Sequence, residues 1–235
     1  MSVALIVPAA GQGRRFGSRV PKTLARLGRG RALLVLTLER LSKAYAFDPV
    51  VVPVEAARIE VVSRLLKSFG LSRARVVAGG RTRAESVLRG LESLPRSSRR
   101  GWVAVHDAAR PLVDPPTVRR CIRDARRYGA AILAQPCHAT VKRSDPKGLR
   151  VQGTEDRSRL YLAQTPQIFK VRDLMGRYSR LGPKALTCTD EAALFDGTGK
   201  RIRITRSGPS NIKITTKADL DFYTFYSARR SGSVS

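Results

Sequence analysis

The chain has 235 residues, 42% of them hydrophobic, which is room for one well-cored α/β domain and cramped for two. Lys+Arg number 45 against 18 Asp+Glu, a formal net charge of +27, so the surface favours anionic ligands and incidental nucleic-acid binding at low salt is expected. The arginines are scattered through every segment, without a basic tail or an RNA-binding aromatic signature, which argues against a dedicated nucleic-acid module.

The first predicted strand is the apolar run Val3 to Val7. It ends in Pro8, Ala9 and Ala10 and a loop holding Gly11, Gly13 and Gly17 together with Arg14, Arg15 and Arg19; Pro21-Lys22 follows. Glycines let backbone N–H groups approach an anion, and the cations neutralise it, so this strand and loop form a phosphate cradle; the plainer alternative is a basic surface loop. It is not a P-loop, since no Gly-Lys-Ser/Thr occurs, and a dinucleotide fingerprint would need glycine at Phe16. The order A-A-G-x-G-x-R-x-G followed by P-K resembles the sugar nucleotidyltransferases, which hold a nucleoside triphosphate in this loop. Arg15 and Lys22 are the candidate catalytic residues, because phosphoryl and nucleotidyl transfer rest on positioning and on positive charge at oxygens that gain charge.

Strands and helices then alternate. Ala32–Ala44 reads as a helix, Val50–Val54 as a strand, Glu55–Phe69 as an amphipathic helix and Arg75–Ala78 as a strand ending at Gly79-Gly80. Thr82–Leu94 reads as a helix, Trp102–Val105 as a strand entering His106-Asp107-Ala108-Ala109-Arg110-Pro111, Pro115–Tyr128 as a helix and Ala130–Gln135 as a strand. This alternation predicts an α/β fold with a doubly wound, mostly parallel sheet, whose ligands bind outside the carboxyl ends of the strands. The loops at Gly11, Gly80 and Asp107 therefore share one rim. Asp107 suits a substrate hydroxyl or a Mg²⁺ ion and Arg110 a phosphate, unless the two merely pair; His106 reads as a packing residue. Ser86 reads equally as a helix cap.

From His138 to about Gln164 the pattern changes to a hairpin, with strands near 140–142 and 149–152 around Asp145-Pro146-Lys147-Gly148. It has little apolar surface of its own, so it packs back on the sheet or reaches a second subunit. Beyond it we expect helices at Val171–Leu181, from Asp190 and from Lys217, strands at Ile202–Thr205 and Ile212–Ile214, and a disordered tail after residue 228. Thr189 is placed to cap the helix from Asp190. The single domain spans 1–228. Cys121, Cys137 and Cys188 form no C-x-x-C, and with only His106 and His138 present they argue for reduced thiols and against zinc. Met1 stands directly before the first strand and no apolar run reaches spanning length, so a cytoplasmic protein without membrane attachment is expected.

Taken in order, PAAGQGRRFG with PK, GGRTRAESVLRGL, VHDAARP, TVKR, RSRLYLAQTPQIF, TDEAALF and NIKITTKADL resemble the 2-C-methyl-D-erythritol 4-phosphate cytidylyltransferases of non-mevalonate isoprenoid synthesis. The resemblance implies a Rossmann-like nucleotidyltransferase fold and transfer of the cytidylyl group of CTP to methylerythritol phosphate, with Mg²⁺ held mainly by the CTP phosphates. It implies that Pro8, Ala9, Ala10, Gly11 and Gly13 cradle CTP with Arg15 and Lys22, and that Gly80, Ser86 and Ala108 face cytosine and ribose. Asp107, Arg110, Thr140, Arg157, Thr189 and Lys213 would hold the polyol phosphate. The hairpin would be a dimerisation arm, its Thr140 and Arg157 completing the partner's site in a homodimer. Ala139 departs from the family, which usually places Asp before this threonine. Two other readings are ribitol 5-phosphate cytidylyltransferase and a non-catalytic RNA-binding protein on the same fold.

Overall fold

In β1 (Val3–Ile6) every residue is buried, and neighbouring side chains leave on opposite faces of the strand. Val3 and Leu5 enter one apolar cluster and Ala4 and Ile6 another, so β1 is covered on both sides. The computed structural model describes residues 2–11, 22–24, 26–27 and 30–231. A short ribbon of β2 (Arg26–Leu27) and β3 (Arg31–Ala32) leads into α1 (Leu33–Ser42). β4 (Val50–Val54), α2 (Ile59–Ser68), β5 (Ala74–Ala78), α3 (Arg83–Glu92), β6 (Trp102–Val105), α4 (Pro115–Tyr128) and β7 (Ala130–Pro136) follow.

Local chemistry sets these boundaries. Thr82 Oγ1 accepts the Glu85 N–H at 3.0 Å to start α3. Asp114 caps α4 by accepting the Thr117 N–H at 3.1 Å, prolines stand in its first turn, and Gly129 at φ 88° closes it. On α4, Val118, Cys121, Ile122 and Ala125 are buried at helical spacing. The Cys121 thiol is free and burial pushes its pKa up to about 12, so it behaves as a small apolar side chain.

The hairpin comprises β8 (Lys142–Ser144) and β9 (Val151–Thr154), each two residues later than expected, around a turn closed by Gly148 N–H to Asp145 O at 2.9 Å. Then come β10 (Tyr161–Lys170), α5 (Val171–Leu181), β11 (Arg203–Arg206) and α6 (Lys217–Ser231). The seven-stranded sheet has the order β11-β7-β10-β6-β1-β4-β5. It is parallel except for β10, which runs antiparallel to both neighbours. α1, α2 and α4 contribute to the apolar cluster on one face, α3 and α5 to that on the other.

Four expectations need correction. β10, a central strand, begins inside the stretch assigned to the hairpin. The helix expected from Asp190 is a 3₁₀ turn over Ala192–Phe195, because Asp190, not Thr189, accepts the Ala193 N–H and Gly197 turns the chain with φ 70°. Ile212–Ile214 joins no sheet; the Ile214 N–H bonds Ala109 O at 2.9 Å, and both isoleucines pack among Leu33, Leu112 and Tyr223. α6 continues to Ser231, past the expected end of order at 228, because Leu220, Tyr223 and Tyr226 fasten it to that cluster. Residues 232–235 lie outside the described residues. No helix among those described is long and apolar enough to cross a membrane.

Candidate functional site

At the carboxyl ends of β1, β4, β5 and β6 the loops are drawn together beyond the sheet ladder. Ala9 N–H donates to Pro53 O at 2.8 Å, Gly79 N–H to Val54 O at 2.6 Å and His106 N–H to Ile6 O at 2.9 Å. Gly79 is required by proximity: a Cβ there would stand 2.7 Å from Ala10 Cβ and 3.0 Å from Ser86 Oγ. The result is a cleft of about 280 Å³ lined by the β1 loop, the start of α3, the β6 loop and Lys213. Such a cleft is where this sheet topology places ligands.

Pro8, Ala9, Ala10, Gly11, Gly80, Ser86, Asp107, Ala108 and Lys213 all line this cleft. Ser86 Oγ accepts the Gly80 N–H at 3.0 Å and donates to Thr82 O at 2.9 Å, so it fixes the glycine turn as well as facing the cleft. Gly13, Arg15 and the Lys22 side chain lie outside the described residues. The Lys22–Leu24 turn is docked by the buried Thr23, whose hydroxyl donates to Ala9 O at 3.4 Å. Thr140 and Arg157 are exposed beside the hairpin and do not line the cleft; Arg157 Nη1 donates to His138 O at 2.7 Å. Thr189 is exposed too, on the turn that precedes Glu191.

A charged cluster closes one side. Asp107 Oδ1 accepts Arg83 Nε–H at 2.9 Å, and its Oδ2 lies 3.0 Å from Lys213 Nζ and 3.5 Å from Arg110 Nε. Arg83 also forks onto Glu191, with Nη1–Oε1 at 2.8 Å and Nη2–Oε2 at 3.1 Å. Burial would raise the Asp107 pKa, but Arg83, Lys213 and Arg110 outweigh it and hold the carboxyl well below its usual range. Burial likewise pulls the Arg83 pKa down, while Glu191 and Asp107 more than restore it, so the guanidinium stays charged. Burial pushes Glu191 up against the pull of Arg83. Arg81, Arg83 and Lys213 line the cleft together with one carboxylate, Asp107. The surplus positive charge faces a cleft suited to phosphate.

Sequence reasoning missed the supports of this cluster. Gln167 on β10, fully buried, accepts the Glu191 and Ala192 N–H groups at 3.1 and 3.0 Å and donates to Asp190 Oδ2 at 2.8 Å. The Asn211 side-chain amide donates to Gln164 Oε1 and to Thr165 O, and the Asn211 backbone carbonyl accepts Arg110 Nη1–H at 2.7 Å. Thr165 Oγ1 accepts the Asp107 N–H at 3.0 Å and lies 3.2 Å from His106 Nδ1. His106 Nε2 lies 3.2 Å from Arg110 O, a pure acceptor, so Nε2 carries the proton and Nδ1 accepts from Thr165. His106 is a packing residue with both nitrogens satisfied.

Burial lowers the His106 pKa from 6.5 to about 4. The unfolded chain therefore binds a proton that the folded chain refuses between those values. Stability is fully present above pH 6.5 and falls by about 3 kcal/mol as pH drops to 4. Urea unfolding of the chain across that window should show the loss, and His106→Gln should flatten the slope. An unchanged slope in the variant would mean that another group is responsible.

The family model described as IspD: 2-C-methyl-D-erythritol 4-phosphate cytidylyltransferase matches residues 3–229. The enzyme of that name from Stenotrophomonas maltophilia (strain R551-3) is 39% identical over 238 residues, covering 99% of this chain and 100% of that protein. The one from Synechococcus sp. (strain WH7803) is 38% identical over 216 residues, covering 92% of this chain and 95% of its own. Among solved structures, the 4-diphosphocytidyl-2C-methyl-D-erythritol synthase of Anaerococcus prevotii DSM 20548 superposes with a TM-score of 0.83 at 26% identity, covering 97% of this chain and 96% of that one. With the rim cleft built from the same ordered motifs, this chain belongs to the 2-C-methyl-D-erythritol 4-phosphate cytidylyltransferase family and is a cytidylyltransferase.

Proposed function

We propose that the cleft joins CTP and 2-C-methyl-D-erythritol 4-phosphate into 4-diphosphocytidyl-2-C-methyl-D-erythritol and pyrophosphate, in the cytoplasm. The observation that carries this reading is a glycine-floored cleft that ends in Asp107 and Lys213. Pro8, Ala9, Ala10, Gly11 and Gly13 would follow the triphosphate, with Arg15 and Lys22 on its oxygens; Gly80, Ser86 and Ala108 would bound the nucleoside. A phosphate oxygen of the polyol attacks the α-phosphorus in line. The new P–O bond forms as the α–β bridge breaks, and its electrons leave with pyrophosphate. Because that oxygen is already anionic, no general base is needed. Arg15 and Lys22 offset the charge that builds at phosphorus. Asp107, held ionised, accepts polyol hydroxyls, while Arg110 and Lys213 steer the incoming phosphate and Thr189 bounds its far side.

Among the described residues lining the cleft, Asp107 is the one carboxylate, and both its oxygens already face cations. That donor set suits a Mg²⁺ ion held mainly by the triphosphate oxygens, with Asp107 the cleft carboxylate that would share in holding it. Bound there, the ion would neutralise phosphate charge. With [α-³²P]CTP the label should appear in the polyol product; label in the released diphosphate would contradict attack at the α-phosphorus.

The hairpin completes the proposal as a homodimer arm. Leu149 at 80%, Val151 at 67% and Leu162 at 56% exposed are large apolar side chains left uncovered on or beside it. A second subunit would cover them and receive Thr140 and Arg157 into its cleft. Asp107→Asn and Arg157→Ala protomers, each inactive alone, should then recover about a quarter of wild-type activity on subunit exchange, since half the dimers hold one intact site. No recovery in proven mixed dimers would confine each site to one chain.

A further inference from the structure

The basic excess is not evenly spent. Arg119, Arg120, Arg123, Arg126 and Arg127 are all exposed on the outward side of α4, a helix about 21 Å long. Beside it lies β11, at the edge of the sheet, with Arg203 and Arg206 exposed. The two elements are tied together: Arg120 Nη2 donates to Arg206 O at 2.8 Å, and the Arg203 and Arg127 guanidiniums stand 5.0 and 5.3 Å from the Tyr128 ring centre. The only carboxylate within α4, Asp124, is taken up by the Thr205 hydroxyl at 2.5 Å.

Some arginines elsewhere meet carboxylates, as in Arg31–Glu39, Arg58–Glu55 and Arg89–Glu85. Among the described residues, no carboxylate pairs with Arg119, Arg120, Arg123, Arg127, Arg203 or Arg206. Charge at an edge strand discourages pairing with other sheets, which accounts for Arg203 and Arg206 but not for a helix. Self-repulsion along α4 is a standing cost that an anion would remove. Tyr128, 43% exposed at the end of α4, adds apolar surface among the cations. A duplex, whose bases are stacked inside, has no use for such surface, and a bilayer needs far more of it.

We propose that the α4–β11 face docks single-stranded nucleic acid, the guanidiniums taking successive phosphates and Tyr128 meeting unstacked bases. The face is formed by α4 and β11, not by the loops that line the cleft, so binding there leaves the transferase chemistry intact.

The test uses the full chain and a fluorescent single-stranded RNA of about 20 nucleotides, followed by anisotropy from low to moderate salt. The Arg119→Gln/Arg123→Gln/Arg127→Gln triple should weaken binding about tenfold or more and lower the slope of log K against log salt by about 2. A control of equal charge change on and beyond α2, Arg64→Gln/Lys67→Gln/Arg73→Gln, should stay within about twofold of wild type, since those side chains are exposed but lie away from the face. Pyrophosphate release should be the same in all three. Equal weakening by both triples would reduce the effect to net charge and overturn the assignment. So would tighter binding of a duplex of the same length, or retention by anionic phosphatidylserine vesicles but not by RNA.

Discussion

Glu191→Ala should cost about 3–5 kcal/mol of stability, because it strips a buried carboxylate from the cluster and leaves Arg83 to share Asp107 with two other cations. Glu191 is 1% exposed and its partner Arg83 24%, so solvent screens the pair little. The guanidinium reaches both Glu191 and Asp107, and therefore ties α3 to the β6 loop and to the turn after Thr189. Loss of Glu191 leaves three cations around Asp107 alone. At about 2–4 °C per kcal/mol for a chain of this size, the melting temperature should fall by roughly 10 °C. A double-mutant cycle with Arg83→Met separates the pair from general loss of packing, and a coupling of about 2 kcal/mol or more is expected. A loss below about 1 kcal/mol for Glu191→Ala would mean that the pair does not organise the site.

Asp107→Asn should lower kcat/KM for the polyol phosphate by roughly 100- to 1,000-fold while leaving the KM for CTP nearly unchanged. The substitution keeps size and shape but removes the charge that Arg83, Lys213 and Arg110 converge on. Two things are lost together, a charged acceptor for hydroxyls and the anchor that orients the Lys213 ammonium. Steady-state kinetics with each substrate varied in turn will read the split. Equal loss for CTP and polyol would place Asp107 on the nucleotide side, and near-normal kinetics would remove it from the site.

How much of this was legible in the sequence follows from the range of the interactions involved. β1 and α4 were readable because their signals are local: an apolar run, an Asp-Pro-Pro start, a glycine stop. The glycine-lined cleft was readable for the same reason, since each of its loops follows a buried strand. β10 was not, because its interior holds Gln164, Thr165 and Gln167, polar residues buried to brace the site instead of forming an apolar stripe. Arg83 and Glu191 looked like ordinary helix and turn charges, and only the fold brings residues 108 positions apart into contact. The helix over Thr82–Leu94 was readable, but nothing in its pattern says where Arg83 points. Ile212–Ile214 read as a strand from its alternation, whereas its single backbone bond to Ala109 serves to bring Lys213 beside Asp107.

Pyrophosphate release from CTP with Mg²⁺, with methylerythritol 4-phosphate and ribitol 5-phosphate offered in separate reactions, tests the account most directly. Release that requires methylerythritol phosphate, and that Lys22→Ala abolishes, is the predicted result. Release with ribitol phosphate alone, or with neither, would contradict it.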